Sequence, residues 1–155
     1  MSYLTDSAAR QQISEVLKGF LADTAVLYMK THGFHWNVEG VHFHALHLLF
    51  EDQYTDLWKS LDAIAERIRS LGFKAPYSLQ GLQSLSEMKE ATQIPNERGM
   101  LEELRDCNML LSHKASECAS LAEKFEDRVT ADMMTQRAEK LEMNAWMLNS
   151  SIGES

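Results

Sequence analysis

Apolar side chains return every three or four positions along four long stretches of this chain, and nowhere do they alternate strictly as on a half-buried strand. On the first stretch Ile13, Leu17, Phe20, Leu21, Thr24, Leu27, Tyr28 and Thr31 share one stripe, and His35 is the next position on it. The second carries Leu46, Phe50, Leu57, Leu61, Ile64 and Ile68, then meets Gly72 with Pro76 beyond, a helix-ending pattern. A third opens at Asn96, a residue suited to cap a helix N-terminus, and buries Leu104, Cys107, Leu111, Ala115, Cys118, Ala122 and Phe125; a fourth carries Met134, Ala138, Leu141, Ala145, Leu148 and Ile152. Short turns at residues 37–40 and 126–128 make each neighbouring pair an antiparallel hairpin. Residues 72–95 separate the hairpins, and there Leu79, Leu82, Leu85 and Met88 recur every three residues, predicting a short helix laid across the bundle or into a subunit contact. The pattern predicts an all-α fold: a four-helix bundle with one long crossover carrying a short extra helix, with residues 1–155 forming a single domain.

Charge narrows the functional classes. Fifteen basic and 23 acidic residues give a net charge of −8, which repels nucleic acid and anionic membranes in the absence of a segregated basic patch, and no such patch is visible. Cys107 and Cys118 fit neither a metal nor a redox motif and fall among apolar positions, so they are expected to be buried free thiols. No segment resembles a signal peptide, and no apolar run reaches the about 18 residues of a membrane span, which predicts a cytoplasmic protein without membrane contact.

The candidate chemistry lies on the second stretch. If residues 43–71 form one helix, His47, Glu51, Asp62 and Glu66 point about 0°, 40°, 60° and 100° around its axis and share a face. Along the axis Glu51 and Asp62 are roughly 16 Å apart, and His47 and Glu66 roughly 28 Å. Metal–ligand bonds are about 2 Å long, so neither pair can hold one ion within a single helix. Both pairs, however, share one midpoint, between residues 56 and 57. A second copy laid antiparallel across a two-fold axis at that midpoint brings His47 opposite Glu66, and Glu51 opposite Asp62, twice over. The short first turn also places His35 beside His47. The candidate site is therefore His35, His47 and Glu51 of one subunit with Asp62 and Glu66 of its two-fold partner. Imidazole mixed with carboxylate suits iron, manganese or zinc better than calcium or copper(I). Without a bound metal the alternative is a helix dimer laced by charge pairs, but these five side chains include no obligate cation to neutralise the carboxylates.

Trp36, next to a candidate ligand, can act as a redox relay if the site does redox chemistry. Glu39 and His42 have the E-x-x-H spacing of di-iron sites, but Gly40 between them marks a turn. His32, His42, His44 and His113 have no partner pattern and read as surface or packing residues. Trp58, on the same face as the acidic ladder, reads as packing at the dimer contact.

The stretch His35-Trp36-Asn37-Val38-Glu39-Gly40, with Leu46-His47 and Glu51 after it, resembles the first signature of the Dps proteins, the miniferritins named as DNA-binding proteins from starved cells. Leu61-Asp62-Ala63-Ile64-Ala65-Glu66-Arg67 with Leu71-Gly72 resembles the second, and the similarity continues through Val129-Thr130-Ala131-Asp132 and Ala145-Trp146-Met147-Leu148. The resemblance implies a ferritin-like fold, a hollow dodecameric homo-oligomer built from two-fold dimers, and a ferroxidase centre between subunits on the five residues above. It further implies two irons per site, Fe(II) oxidised to Fe(III) preferentially by hydrogen peroxide, storage as ferric mineral, and protection against oxidative stress. Acidic pore residues of the family correspond in place to Glu126, Asp127 and Asp132, for which helix capping is an equally good reading. Two positions depart from the pattern: Glu51 stands where many members have Asp, and Leu48 where several carry a glutamate associated with mineral nucleation.

The alternative function, compaction of DNA with iron oxidation secondary, needs Lys or Arg to contact phosphate. Residues 1–12 hold one Arg against one Asp, and residues 151–155 hold Glu154 and no base. Duplex DNA should therefore show no mobility shift with this protein at about 0.15 M salt. Tight binding that survives a chelator would require a basic surface created by assembly and would reverse the expectation.

Overall fold

The computed structural model describes residues 6–153, so the terminal segments weighed above for DNA binding lie in part, at residues 1–5 and 154–155, outside the described residues. Five helices follow in order: α1 (Ser7–Asn37), α2 (Phe43–Ser70), the short α3 (Leu79–Leu85), α4 (Glu97–Lys124) and α5 (Arg128–Ile152). No strand occurs among the described residues. The fold is all-α, with α1 packed on α2, α4 on α5, and α1 against α4.

Local chemistry sets the ends. Asp6 caps α1 by accepting from Ala8 N at 2.9 Å, and Asn96 caps α4 by accepting from Gly99 N, also at 2.9 Å. Helix α2 closes in a Schellman turn: Phe73 N donates to Ile68 O while Gly72 takes a positive φ of 104°. The α4–α5 turn repeats the arrangement without glycine, since Glu126 adopts φ 60° while Asp127 N reaches back to Ala122 O. The α1–α2 turn is held from a distance. His42, at the N-terminus of α2, has no side-chain cap, and the Glu97 carboxylate of α4 accepts from both His42 N at 3.0 Å and His42 Nδ1 at 3.1 Å. Gly40, at φ 124°, leaves room for that carboxylate, because a Cβ there would fall 2.5 Å from Glu97 Oε1.

The stripes read from the sequence line the core: Ile13, Leu17, Leu27, Phe50, Leu57, Ile64, Leu104, Leu111, Met134, Leu141 and Leu148 are all fully buried. Polar residues also cross it. Gln53 Nε2 donates to Asn144 O, Asn144 Nδ2 to Asn108 Oδ1, and Asn108 Nδ2 to Leu104 O, linking α2, α5 and α4.

The crossover is anchored by two buried charges as well as by Leu82 of α3, which packs partly buried against the core. No residue of α3 is buried, and Leu79 is 87 % exposed; Met88, beyond the helix, is the member of that repeat that enters the core. Asp23 of α1 accepts from Ser86 Oγ, Glu87 N and Met88 N at 2.8 to 3.0 Å and pairs with Lys114 Nζ at 2.6 Å. Lys30 donates to Lys89 O at 2.8 Å and pairs with Glu103 at 3.0 Å. Removing one partner of a buried charged network leaves the others desolvated and uncompensated, at about 3–5 kcal/mol. Asp23→Ala should accordingly lose about 3 kcal/mol of unfolding free energy and expose the Glu87 and Met88 amides to fast hydrogen exchange. Unchanged exchange at those two amides would show that the crossover is held by other contacts.

Candidate metal centre

The end of α1 and the beginning of α2 bring two imidazoles face to face. His35 and His47 stack with ring centroids 3.7 Å apart and planes 14° from parallel. Their Nδ1 atoms make a reciprocal pair of bonds, His35 Nδ1 to His47 O at 2.7 Å and His47 Nδ1 to His35 O at 2.8 Å. A carbonyl only accepts, so both Nδ1 atoms carry hydrogen, and in the neutral ring the lone pair is on Nε2. His35 O belongs to the last turn of α1, where carbonyls lack helical donors, so His47 also satisfies a helix end. Phe43 covers the pair, its ring 4.9 Å from that of His47. Hydrogen bonds of this kind, from a ring N–H to a backbone carbonyl, orient metal-ligating histidines.

The carboxylates are placed differently. Glu51, Asp62 and Glu66 are exposed on α2, while His35 is buried and His47 partly so. Among the described residues no group of three or more His, Cys, Asp and Glu side chains converges within one chain. Asp62 stands on the rim of an open groove of about 640 Å³ lined by Leu21, Ala25, Trp58, Leu61 and Leu82. Trp58, 61 % exposed in the single chain, contributes its ring to the groove.

The same architecture and sequence recur in known proteins. A family model described as a ferritin-like domain matches residues 15–154. The DNA protection during starvation protein 2 of Bacillus anthracis is 34% identical over 145 residues, spanning 93% of this chain and 99% of that protein. The chain belongs to the Dps family of ferritin-like proteins. A low temperature-induced protein of Nostoc is 38% identical over 151 residues, 96% of this chain and 84% of its own length. The crystal structure of Dps from Vibrio cholerae O1, described as a member of a broad superfamily of ferritin-like diiron-carboxylate proteins, matches with a TM-score of 0.91 at 33% identity, covering 95% of this chain and 92% of that one.

Within this Dps chain the remaining candidates separate by environment. Trp36 is 58 % exposed, with its ring 4.2 Å from that of His32. Glu126 and Asp132 are exposed, whereas Asp127 is 5 % exposed; its carboxylate accepts from Arg67 Nη2 at 2.9 Å and from Thr130 N at 3.1 Å. Asp127 thus caps α5 and ties it to α2, the structural role set beside the pore reading. His42 is engaged by Glu97, and Glu39 is exposed. That bond, made by the His42 side chain and backbone, holds the Glu97 carboxyl below its usual range.

One cluster was not apparent as a unit from the sequence. His32 stacks on Tyr54 with centroids 3.8 Å apart, and the Tyr28 hydroxyl lies 2.8 Å from His32 Nδ1. Burial, with a smaller contribution from His35, lowers the pKa of His32; burial, then the nearby Glu51 charge, raises that of Tyr54. The four-residue spacing of Tyr28 and His32 was the available signal.

The two thiols are free and do not join the histidines. Burial, then Glu117, pushes Cys118 up to about 12, and burial also raises Cys107 against the opposing effect of Lys30 Nζ at 3.4 Å. A thiol raised in this way carries little thiolate near neutral pH. Alkylation of the folded protein at about pH 8 should be slow at both cysteines and fast after unfolding in guanidinium; rapid labelling of either thiol in the folded state would contradict the burial argument.

Proposed function

We propose that this protein is an iron-storing ferroxidase that uses hydrogen peroxide as oxidant and protects the cell from oxidative stress. Its Dps and ferritin-like relatives tie the chain broadly to iron storage and stress protection. The observation that carries the finer reading is the reciprocal imidazole pair. It fixes both Nδ1–H groups on backbone carbonyls, so that neutral His35 and His47 each retain an Nε2 lone pair for a metal.

Three ligands, His35, His47 and Glu51, come from one subunit, and Asp62 and Glu66 come from the two-fold partner. The apolar groove beside Asp62 supports such a contact, since a second copy packed there would remove Trp58 and Leu82 from water. Carboxylates supply the negative charge that stabilises Fe(III) over Fe(II), and imidazoles supply neutral donors of intermediate softness. Two Fe(II) ions at one site each give one electron to hydrogen peroxide, which takes up two protons and becomes two waters. Pairing the electrons in this way avoids release of hydroxyl radical. The ferric product hydrolyses and is stored inside a dodecameric shell. In this reading Trp36 passes electrons to or from the pair, and Glu126 and Asp132, both exposed, attract cations at a pore. Protection of DNA then follows from removing iron and peroxide, without contact between an acidic chain and phosphate.

Anaerobic Fe(II) titration followed by peroxide, read by ferric absorbance, tests the reading. His47→Ala or Asp62→Ala should slow ferric formation at least about tenfold, the loss that even outer-shell partners of a metal produce, with helical content unchanged. Oxidation at the parental rate in either variant would remove the assigned centre. The shared nature of the site has its own test. In a mixed dimer of His47→Ala and Glu66→Ala chains, one cluster carries both lesions and the other neither, so activity should return on mixing only after subunits exchange. Recovery without exchange would point to a site within one chain.

A further inference from the structure

Helix α2, which carries His47, begins without a side-chain cap of its own, and the group that supplies one lies 55 positions further along the chain. At a helix start the first N–H groups have no carbonyl within the helix, so their acceptor has to come from elsewhere. Here it comes from Glu97. Its Oε1 accepts from His42 N at 3.0 Å and its Oε2 from His42 Nδ1 at 3.1 Å, so one residue engages both carboxylate oxygens. A carboxylate at this end of α2 also meets the positive end of the helix dipole, an attraction that a neutral cap lacks.

The two sides of this contact differ in what else holds them. Glu97 is the first residue of α4, and Met100 and Leu101 in the same turn are buried in the core, so the backbone that carries the carboxylate is fixed. Gly40 leaves it space, since a Cβ there would fall 2.5 Å from Oε1 and 2.8 Å from Cδ. The first turn of α2 has little other support: Phe43, His44 and Ala45 are all exposed, and burial begins at Leu46 and continues at Phe50. Yet that turn leads directly into the candidate centre. His42 O accepts from Leu46 N at 3.0 Å at the start of the helix, and the Phe43 ring lies 4.9 Å from that of His47, one turn on.

We propose that Glu97 is a positioning residue for the candidate metal centre: by capping α2 from α4 it holds the first turn of α2, and with it the His47 ring, in the orientation that a metal needs. This rests on the reading of His35 and His47 as metal ligands. Without the carboxylate, residues 42–45 fray while the body of α2 stays in place, because Leu46, Phe50 and Leu57 remain buried. Phe43 then leaves the face of His47, and the bond from His47 Nδ1 to His35 O, 2.8 Å long, is open to competition from water. An imidazole that is free to turn loses more freedom when it binds a metal, so affinity falls although fold and core are kept. Glu97 itself touches no metal; its effect passes through His42 and Phe43.

The test is an anaerobic Co(II) titration of the assembled protein, read by the d–d absorption of the bound ion, with His47→Ala defining the binding that belongs to other carboxylates. Glu97→Ala should weaken the His47-dependent binding about tenfold, the lower end of what loss of a group outside the ligand shell produces, with helical content unchanged. Glu97→Gln keeps an amide oxygen for His42 N but has neither the charge nor a second acceptor for Nδ1, so its affinity should lie between the two. Leu111→Ala is the control: it removes a fully buried side chain about four turns along α4 from Glu97, and should lower the melting temperature without changing Co(II) affinity. Parental affinity in Glu97→Ala, or in Glu97→Gln if the alanine chain does not assemble, would overturn the positioning role. So would a Leu111→Ala protein weakened as much as Glu97→Ala, since general loss of stability would then account for both. Wild-type protein that binds Co(II) no more tightly than His47→Ala would overturn the metal-centre reading and this inference with it.

Discussion

The local order of the candidate centre depends on two hydrogen bonds that each cross from one helix of a hairpin to the backbone of the other. His35 and His47 donate Nδ1–H to each other's carbonyl oxygen, so neither ring can rotate without leaving a polar group unpaired in a largely buried place. The bonds fix the axial register of α1 against α2, bring the rings into stacking contact, and select the tautomer in both. A displacement of α2 by one turn along its axis would move His47 by about 5.4 Å and break all three at once.

Several distant contacts serve that register. Glu97, the first residue of α4, replaces the side-chain cap that His42 does not provide and passes close over Gly40. Because Glu97 follows the crossover, the placement of α2 is coupled to the path of residues 72–95. That path is held on α1 by Asp23 and Lys30, which satisfy backbone groups of residues 87–89. At the other end of α2, Arg67 reaches Asp127 and Thr130 and ties the helix to the start of α5. The helix bearing the candidate ligands is therefore restrained at both ends by charged hydrogen bonds, while its acidic ladder stays open to solvent.

This division suits a site completed by a second subunit. The two histidines are already hydrogen-bonded within their own chain, whereas the carboxylates Glu51, Asp62 and Glu66 are exposed and carry no ion pair among the described residues. Other carboxylates on the helices are consumed internally, as Asp56 is by Arg137 and Asp127 by Arg67. The polar atoms behind the histidines extend the same logic, since Tyr28 and His32 satisfy each other and leave the ring faces in contact with Tyr54 and Trp58.

The sequence by itself determined the helices and the faces they bury. A 3.6-residue apolar repeat has one low-energy solution, Asn96 marks where a helix starts, and Gly72 and the short turns mark where helices end. It also determined that His35 would lie beside His47, because a short turn in an antiparallel hairpin fixes which residues face each other. Those are local properties, set by spacing along the chain. Only the tertiary structure decided how the polar groups are matched. Nothing in the spacing shows that Glu97 caps α2 across 55 positions, that Asp23 gathers the crossover, or that Asp127 is spent on Arg67 rather than left facing solvent. A carboxylate looks the same in sequence whether it caps a helix, pairs with a buried base or awaits a metal. The choice depends on which donors the folded chain brings within about 3 Å of it.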